Sequence, residues 1–500
     1  MHRRTWTSAG VGLLVIVIAA ILVAPNAGVL RFDSSRLPPL AFDPATRLVE
    51  MMNAGNAAGP ALAASASVVR VGPNVQVFDN RRPQNEIAAA ANPADARNLL
   101  IGSNDYRIRG TVWAGVYTST DAARSWTAQL VPGYPGGPQG TLSEFQAGGD
   151  PIVGFASDGT AYAGGIFFKA SPSGGGVKDV SIALSRSDDG GLTWNDAVIV
   201  APGKGNSPFN DHPQMAVDTT GGSFDGHVYI SWTRFGGEGQ IDIYVAVSAD
   251  RGATWSATKV SGPIPHGDAE GFYQDSMAAI GPGGLVYIVW DEWFHDNGNV
   301  PRTKIWMTSS NDGGATFAPS WIVDDDVIPI HLPNASYRHD SYPTAAVDTS
   351  GGAHDGRIYL AWSDDRNGNA DILLKSSDDG GASWSSIVRV NDDVGTAGQF
   401  MQWIVVGSDG RADVSFYDRR DDPNDYLLNE YMARSTDGGA SFLNVRVSDV
   451  SSDPAVWPTF IGDYNQIAAT SRASYPAWSD FRNGVPGNFN QDAYTAAVFV

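Results

Sequence analysis

The sequence predicts an all-β fold, a seven-bladed β-propeller of four-stranded antiparallel blades. An eight-residue turn motif occurs six times at a spacing of about sixty residues, which is typical of a repeat architecture. Four short apolar strands surround each motif, and four strands make one propeller blade. Seven units can be counted by their first strands, which begin near residues 87, 151, 213, 276, 343, 401 and 463.

The turn motif reads Ser, any, Asp, any, Gly, any, Thr or Ser, aromatic, and its clearest copy runs from Ser187 to Trp194. The Asp carboxylate can accept backbone N–H groups within a tight turn, and Gly supplies a positive φ. The hydroxyls can close local bonds, and the aromatic ring can cover the hairpin. One copy has Ala123 in place of Gly. We expect a structural role for the six aspartates, which are Asp121, Asp189, Asp250, Asp312, Asp379 and Asp437.

The seventh unit ends after its third strand, near Val500. Val69-Arg70-Val71 resembles Val388-Arg389-Val390 and Val445-Arg446-Val447, which follow turn motifs as fourth strands. The sequence therefore predicts that the N-terminal strand completes the last blade and removes an open sheet edge.

The turn motif resembles the Asp-box of the sialidase superfamily, and the resemblance covers residues 68–500. It implies a propeller and says little about chemistry, because the motif also occurs outside sialidases. Catalytic members of the superfamily have six blades. A six-bladed sialidase propeller is therefore the alternative to the seven units counted here.

The chain divides into three predicted regions. Residues 1–30 carry His2, Arg3 and Arg4 before an apolar run from Ala9 to Ala24, which predicts an export signal or a retained N-terminal membrane anchor. Residues 31–67 read as a linker, and residues 68–500 as the propeller. This order predicts an extracytoplasmic protein, either secreted or anchored.

Composition narrows the choice of partners. The net charge of −21 argues against binding to nucleic acid or to an anionic membrane surface. The chain has no cysteine, so disulfides and thiolate metal sites are excluded. We expect a monomer whose partner is a glycan or glycoconjugate, with a protein partner as the alternative.

The turn motif joins the third and fourth strands, so function is expected on the opposite face. The loops on that face carry two rings of polar residues. Before the first strands stand Asn85-Glu86, Asp150, Asp211-His212, Gln274-Asp275, Arg338-His339-Asp340, Gln399 and Asp463-Tyr464. After the second strands stand Asp105-Tyr106-Arg107, Arg234, Asp291-Glu292, Asp364-Asp365-Arg366, Asp418-Arg419-Arg420 and Asp480-Phe481-Arg482.

The repeated Asp, any, Arg pattern has two interpretations. Each pair can hold its own loop, which repetition favours because an active site is not symmetric. Some arginines can instead face a central cavity and clamp a ligand with their planar donors. The candidates for substrate binding are Arg107, Arg234, Arg366, Arg420, Arg482, His339 and Asp340.

The resemblance implies a sialidase-type, exo-acting glycoside hydrolase with three arginines, a Tyr nucleophile assisted by Glu, and an Asp acid/base. Tyr464 stands where the nucleophile would, but Asn85-Glu86-Ile87 replaces the family's Arg-Ile-Pro signature. A structural or stacking role for Tyr464 is therefore favoured over a nucleophilic one. If the protein is an enzyme, the first catalytic candidates are Tyr464, Glu86, Asp150 and Asp211.

Other chemistries remain open. The same carboxylates suit ordinary glycoside hydrolysis, and they also suit Ca²⁺, although no cofactor is required. The rival to an enzyme is a non-catalytic extracytoplasmic scaffold that binds a glycan or a protein, which the missing arginine signature favours.

Overall fold

The computed structural model describes residues 69–170, 176–236, 240–263, 271–296 and 300–499. The predicted signal or anchor (residues 1–30) and linker (residues 31–67) lie outside the described residues. In the part that is described, no helix has the length and apolar character needed to cross a membrane.

The described residues form seven antiparallel sheets arranged as propeller blades. The chain enters through two short strands, β1 (Arg70–Val71) and β2 (Val75–Gln76). Blade 1 then consists of β3 (Gln84–Ala91), β4 (Leu99–Asp105), β5 (Trp113–Ser119) and β6 (Thr127–Leu130). Blade 2 consists of β7 (Ala147–Phe155), β8 (Ala161–Ala170), β9 (Val177–Ser187) and β10 (Val198–Ala201).

Blades 3 to 5 repeat the same order. Blade 3 consists of β11 (Phe209–Val217), β12 (Val228–Phe235), β13 (Ile241–Ser248) and β14 (Ser256–Lys259). Blade 4 consists of β15 (Phe272–Gly281), β16 (Leu285–His295), β17 (Pro301–Ser310) and β18 (Trp321–Val327). Blade 5 consists of β19 (Thr344–Val347), β20 (Ile358–Asp364), β21 (Asp371–Ser377) and β22 (Val388–Arg389).

Blades 6 and 7 complete the ring. Blade 6 consists of β23 (Gln399–Val406), β24 (Ala412–Asp418), β25 (Asn429–Ser435) and β26 (Leu443–Arg446). Blade 7 takes β27 (Ile467–Ala469), β28 (Ala473–Asp480), β29 (Asp492–Thr495) and β30 (Val498–Phe499) from the C-terminal part. Short 3₁₀ helices span Thr141–Glu144, Pro282–Gly284 and Pro454–Val456.

The N-terminal strand closes the last blade, as the sequence predicts. Strand β1 pairs with β30, and β2 pairs with β29. Both β29 and β30 pair with β28, so the third strand of blade 7 is interrupted and its fourth strand is supplied in two pieces by the N-terminus. Seven blades are therefore confirmed, and the six-bladed alternative is not.

A buried charge network fastens this closure to blade 6. The Asp413 carboxylate accepts bonds from Arg411 Nε at 3.1 Å, from Arg434 Nε at 2.8 Å and from the Ser474 hydroxyl at 2.5 Å. Arg434 also donates to the backbone carbonyl of Phe499 at 2.8 Å. The Asp413 carboxylate thus connects strands of blade 6 to blade 7, and Arg434 connects it to strand β30.

The six turns have the same hydrogen bonds. In each, the Asp carboxylate accepts the hydroxyl of the first residue at 2.7–2.9 Å. It also accepts the backbone N–H of the seventh residue at 2.8–3.0 Å. Ala123 adopts the left-handed conformation, with φ of 65°, that glycine adopts in the other copies. The turn is thus structural.

The seven first strands surround a central channel. At the end of the channel nearer the repeated turns they line a cavity of about 310 Å³. A hydrogen bond of 2.9 Å from the Gln466 side chain to that of Gln214 joins blade 7 to blade 3 across the channel. The residues two positions before these glutamines, His212 and Tyr464, line a separate cavity at the other end.

Candidate active site

A β-bulge at the start of five first strands directs side chains toward the propeller axis. In each bulge a residue at the shift in register has a left-handed backbone. Bulges re-aim side chains, and non-glycine residues with positive φ cost about 1–3 kcal/mol each, a cost often found at functional sites. These residues are Glu86 (φ 56°), Asp150 (47°), His212 (50°), Asp275 (52°) and Met401 (58°).

The inward-facing positions enclose a cavity of about 230 Å³ on the face opposite the repeated turns. Its lining is dominated by acidic and aromatic side chains. The carboxyl groups belong to Glu86, Asp150, Asp211, Asp275, Asp340 and Asp463, the cationic side chains are Arg338 and His212, and the aromatic rings include Tyr106, Phe168, Tyr342, Phe460 and Tyr464.

Two of the six carboxylates are held by cations. His212 Nδ1 lies 2.6 Å from Asp275 Oδ1, and Arg338 binds Asp463 through two bonds, one of them from Nε to Oδ1 at 2.7 Å. Burial lowers the pKa of His212, but Asp275 and the nearby carboxylates outweigh it and raise the value to about 9. The imidazole is therefore protonated at neutral pH.

Glu86 and Asp150 form a carboxyl pair with no cation in direct contact among the described residues. Asn104 Nδ2 donates to Glu86 at 2.7 Å, and Asp150 Oδ2 accepts the backbone N–H of His212 at 3.1 Å. Burial raises the pKa of Glu86 well above its usual range, and the charges of Asp150 and Asp463 raise it further. Burial also raises the pKa of Asp150, although the charge of His212 and a hydrogen bond with Glu86 lower it in part. Burial thus favours protonation of both groups, and the pair holds a proton more readily than two separate exposed carboxylates would.

Asp211 and Asp340 face the cavity, and their carboxyl groups have no hydrogen-bond or ion-pair partner within the described ranges. Burial, with a further contribution from Asp150, raises the pKa of Asp211 to about 8. Burial, with contributions from Asp275 and Asp463, raises the pKa of Asp340 to about 7. Asp211 therefore holds a proton at neutral pH, while Asp340 is close to half ionised.

Tyr464 forms part of the cavity wall. Its ring stacks on His212 at 5.2 Å with an interplanar angle of 27°, and its hydroxyl lies 3.4 Å from the carbonyl oxygen of Pro151. The side chain is buried, and burial together with Glu86 and Asp150 raises the pKa of the phenol well above its usual range. These surroundings oppose a phenolate and favour the stacking role over the nucleophilic one.

The arginines of the Asp, any, Arg pattern do not line the cavity. Each binds the aspartate two residues before it, with a backbone N–H bond of 2.8–2.9 Å and further bonds from the guanidinium. An aromatic ring packs against each guanidinium. The interpretation in which the pairs hold their own loops therefore describes Arg107, Arg366, Arg420 and Arg482, and their expected place around a substrate is not supported.

Two further candidates for substrate binding also lie apart from the cavity lining. The Arg234 guanidinium packs over the Tyr244 ring at 4.8 Å. His339 Nδ1 lies 3.0 Å from the carbonyl oxygen of Tyr337, and the ring lines a small adjoining space instead. Of the substrate-binding candidates, Asp340 alone is among the described residues of the cavity wall.

Arg338 belongs to the first ring of polar residues but is not one of the substrate-binding candidates chosen from the sequence. Position 336 is Ser, so Arg338 lacks the aspartate that fixes the four paired arginines, but Arg234 lacks it as well and lies outside the cavity lining, so this feature did not single out Arg338. Tyr106, Asn104 and Tyr342 had no comparable signal, because they come from different strands and loops and meet only in the folded chain.

The described residues contain no group of three or more His, Cys, Asp or Glu side chains arranged to hold a metal ion. Binding of Ca²⁺ stays a prediction from the sequence.

No family model and no curated protein sequence matches the chain. Among solved structures, the chain is similar to a protein of unknown function from Dyadobacter fermentans, with 14% identity, coverage of 87% of this chain and 100% of that chain, and a TM-score of 0.46. It is similar to the α-L-arabinanase of Penicillium chrysogenum in complex with arabinobiose, with 14% identity, coverage of 85% and 98%, and a TM-score of 0.46. An intramolecular trans-sialidase from Ruminococcus gnavus has 11% identity, coverage of 71% and 94%, and a TM-score of 0.44.

Proposed function

We propose that the protein is a glycoside hydrolase that binds one terminal sugar ring in the acidic cavity. The observation that carries this proposal is the trio of Glu86, Asp150 and Asp211, three carboxyl groups that line one cavity and whose pKa values are raised by burial, that of Asp211 to about 8. Hydrolysis of a glycosidic bond needs one carboxylic acid and one carboxylate, and paired groups with separated pKa values supply them.

Asp211 is the general acid in this proposal. Its proton, retained up to a pKa of about 8, passes to the glycosidic oxygen as the bond from that oxygen to the anomeric carbon breaks. Asp150 is the general base, which takes a proton from the water that attacks the anomeric carbon. Glu86 holds a proton against Asp150 and positions its carboxylate. The products are a free sugar and the alcohol of the leaving group, so atoms and charges balance.

The shape and lining of the cavity support a sugar as substrate. A cavity of about 150 Å³ is enough for a benzene ring, so about 230 Å³ is enough for one sugar ring. The partly exposed ring of Tyr106 offers an apolar face to the C–H side of a sugar, and carboxylates accept its hydroxyls.

The charge of the cavity opposes a sialic acid as substrate. Arg338 is the one arginine in the described lining, and Asp463 already binds its guanidinium. A substrate carboxylate would face Glu86, Asp150 and Asp340 without a free cation. We therefore propose a sugar without an acidic group in place of the sialidase-type substrate that the resemblance implies.

The test uses two series of glycosides, one with good leaving groups such as 4-nitrophenyl and one with poor leaving groups such as methyl, in both anomeric forms. We expect Asp150→Asn to abolish hydrolysis of both series. Asp211→Asn should lose activity on the glycosides with poor leaving groups, because those leaving groups need protonation. It should retain much of its activity on the glycosides with good leaving groups. Asp325→Asn, which removes an exposed acidic group, serves as the matched control.

If the wild-type protein hydrolyses none of these glycosides, the enzyme proposal is wrong and the non-catalytic glycan-binding scaffold is favoured. The predicted export segment supports a site of action outside the cytoplasm. Fractionation of cells that express the full chain tests this location, and recovery in the cytoplasm would contradict it.

A further inference from the structure

Blades 4 and 5 form a distinct wall of the cavity. Asp275, at the bulge of β15, and Asp340 and Tyr342, just before β19, all line this side. Asp275 is paired with His212, whereas the Asp340 carboxyl group has no partner among the described residues. This wall therefore offers an acceptor that the protein itself does not use.

Tyr342 provides an independent sign that a ligand belongs here. The residue is 4% exposed, and its hydroxyl has no hydrogen-bond partner within the described part of the chain. Buried hydroxyls are normally bonded, and an unpaired one costs about 1–3 kcal/mol. A group with N–H or O–H donors in the cavity would satisfy both Tyr342 and Asp340.

Asp291 is a buried carboxyl group behind this wall. It lies on β16, its side chain is fully buried, and neither carboxyl oxygen has a partner among the described residues. Burial raises the pKa of Asp291 well above its usual range, and the charges of Asp275 and Asp340 raise it further, so the three groups are electrostatic neighbours. Within the described ranges, His212 is the one cationic side chain that contacts any of them.

We infer that this wall binds a protonated amine, and that the substrate is the glycoside of an amino sugar whose amino group is not acetylated. An ammonium carries a positive charge and three donors, which the Asp340 carboxylate and the Tyr342 hydroxyl can accept. A sugar hydroxyl in the same place would lack the charge, and an acetamido group would lack the charge and occupy more space. The part of the inference that makes the ligand a glycoside substrate rests on the proposed function. The test measures binding and does not depend on turnover.

The test measures binding by titration calorimetry with methyl glycosides of glucosamine and galactosamine, in both anomeric forms. Their hydroxyl counterparts and their N-acetyl derivatives are titrated alongside. We expect the best amino sugar to bind at least about tenfold more tightly than its hydroxyl counterpart, as for one charge-assisted hydrogen bond. Asp340→Asn should abolish this preference, Tyr342→Phe should reduce it, and Asp325→Asn should leave it unchanged.

Three results would overturn the inference. They are equal binding of the amino and hydroxyl sugars, absence of binding by every amino sugar in the panel, and an unchanged preference in Asp340→Asn. Calcium ion is titrated as a separate arm, and Ca²⁺ binding that depends on Asp340 while no amino sugar binds would assign this wall to a metal instead.

The two proposals fail separately. Hydrolysis of neutral glycosides with no preference for the amine would leave the enzyme proposal intact and remove the inference. Amine-dependent binding without hydrolysis of any glycoside would leave a binding site for amino sugars and remove the enzyme proposal.

Discussion

Replacement of Asp211 by Asn should make the protein more stable at neutral pH, because the wild-type fold must keep this buried carboxyl group protonated. Its pKa rises from an ordinary value of 3.8 to about 8 on folding. For an acid with a raised folded pKa, the ionised form opposes folding, so the wild type loses stability as pH rises from about 4 through 8. A tenfold change in a protonation equilibrium corresponds to about 1.4 kcal/mol. At pH 7, the interval from the ordinary pKa of 3.8 up to the pH therefore corresponds to a cost of about 4 kcal/mol.

The Asn variant avoids this cost and loses no hydrogen bond, since the Asp211 carboxyl group has none among the described residues. The neighbouring Asp150 and Glu86 redistribute their protons in the variant, so we expect a net gain of about 2–4 kcal/mol at pH 7. Urea denaturation at about pH 5, 7 and 8.5 measures it, and the gain should grow with pH. A variant that is equally stable or less stable than the wild type at all three values would refute the reasoning. Asp325→Asn, at an exposed position, should show no such pH-dependent gain.

Three other changes test the closure, the wall and the paired arginines. Asp413→Ala leaves the buried Arg434 guanidinium with no carboxylate and the buried Arg411 guanidinium with Asp409 alone, and it should cost about 3–5 kcal/mol in urea denaturation. Asp409→Ala, at a partly exposed position, leaves Asp413 bound to both arginines and should cost less; equal effects would contradict the central role of Asp413. Tyr464→Phe should change kcat/KM by less than about fivefold, because the Tyr464 hydroxyl makes one long hydrogen bond worth at most about 1 kcal/mol. A thousandfold loss of kcat/KM would instead support Tyr464 as the nucleophile. Arg366→Met should lower the melting temperature while KM for the best glycoside stays within about twofold, because the guanidinium is bonded to Asp364 and Asp324 and lies outside the cavity lining. A large rise in KM would show that Arg366 contributes to substrate binding.

The sequence indicated the face that carries the acidic cavity and part of the cavity lining. Glu86, Asp150, Asp211, Asp340 and Tyr464 were all candidates, and the structure brings all five together. They were recognisable because they occupy one repeated position, at or just before the start of a first strand, and a repeat places equivalent positions around one axis.

The same repetition explains the choice of arginines. Repetition made the Asp, any, Arg residues conspicuous, but a pattern that recurs in several blades serves each blade, and the structure pairs these arginines within their loops. Arg338 reaches the cavity, whereas Arg234, which also lacks the preceding aspartate, packs over Tyr244, so absence from the pattern does not by itself mark a cavity residue.

The sequence by itself determined the seven blades, their register and the closure by the N-terminal strand, because turn chemistry and strand alternation are local properties that repeat along the chain. Tertiary structure alone decided which carboxyl groups are protonated. The pKa values of Asp211 and Asp340 depend on burial and on charges contributed by other blades, about sixty residues or more away along the chain. It also decided that Tyr342 has an unpaired hydroxyl beside Asp340 within the described part of the chain, because a missing partner is a property of the space around a side chain and leaves no mark in the sequence.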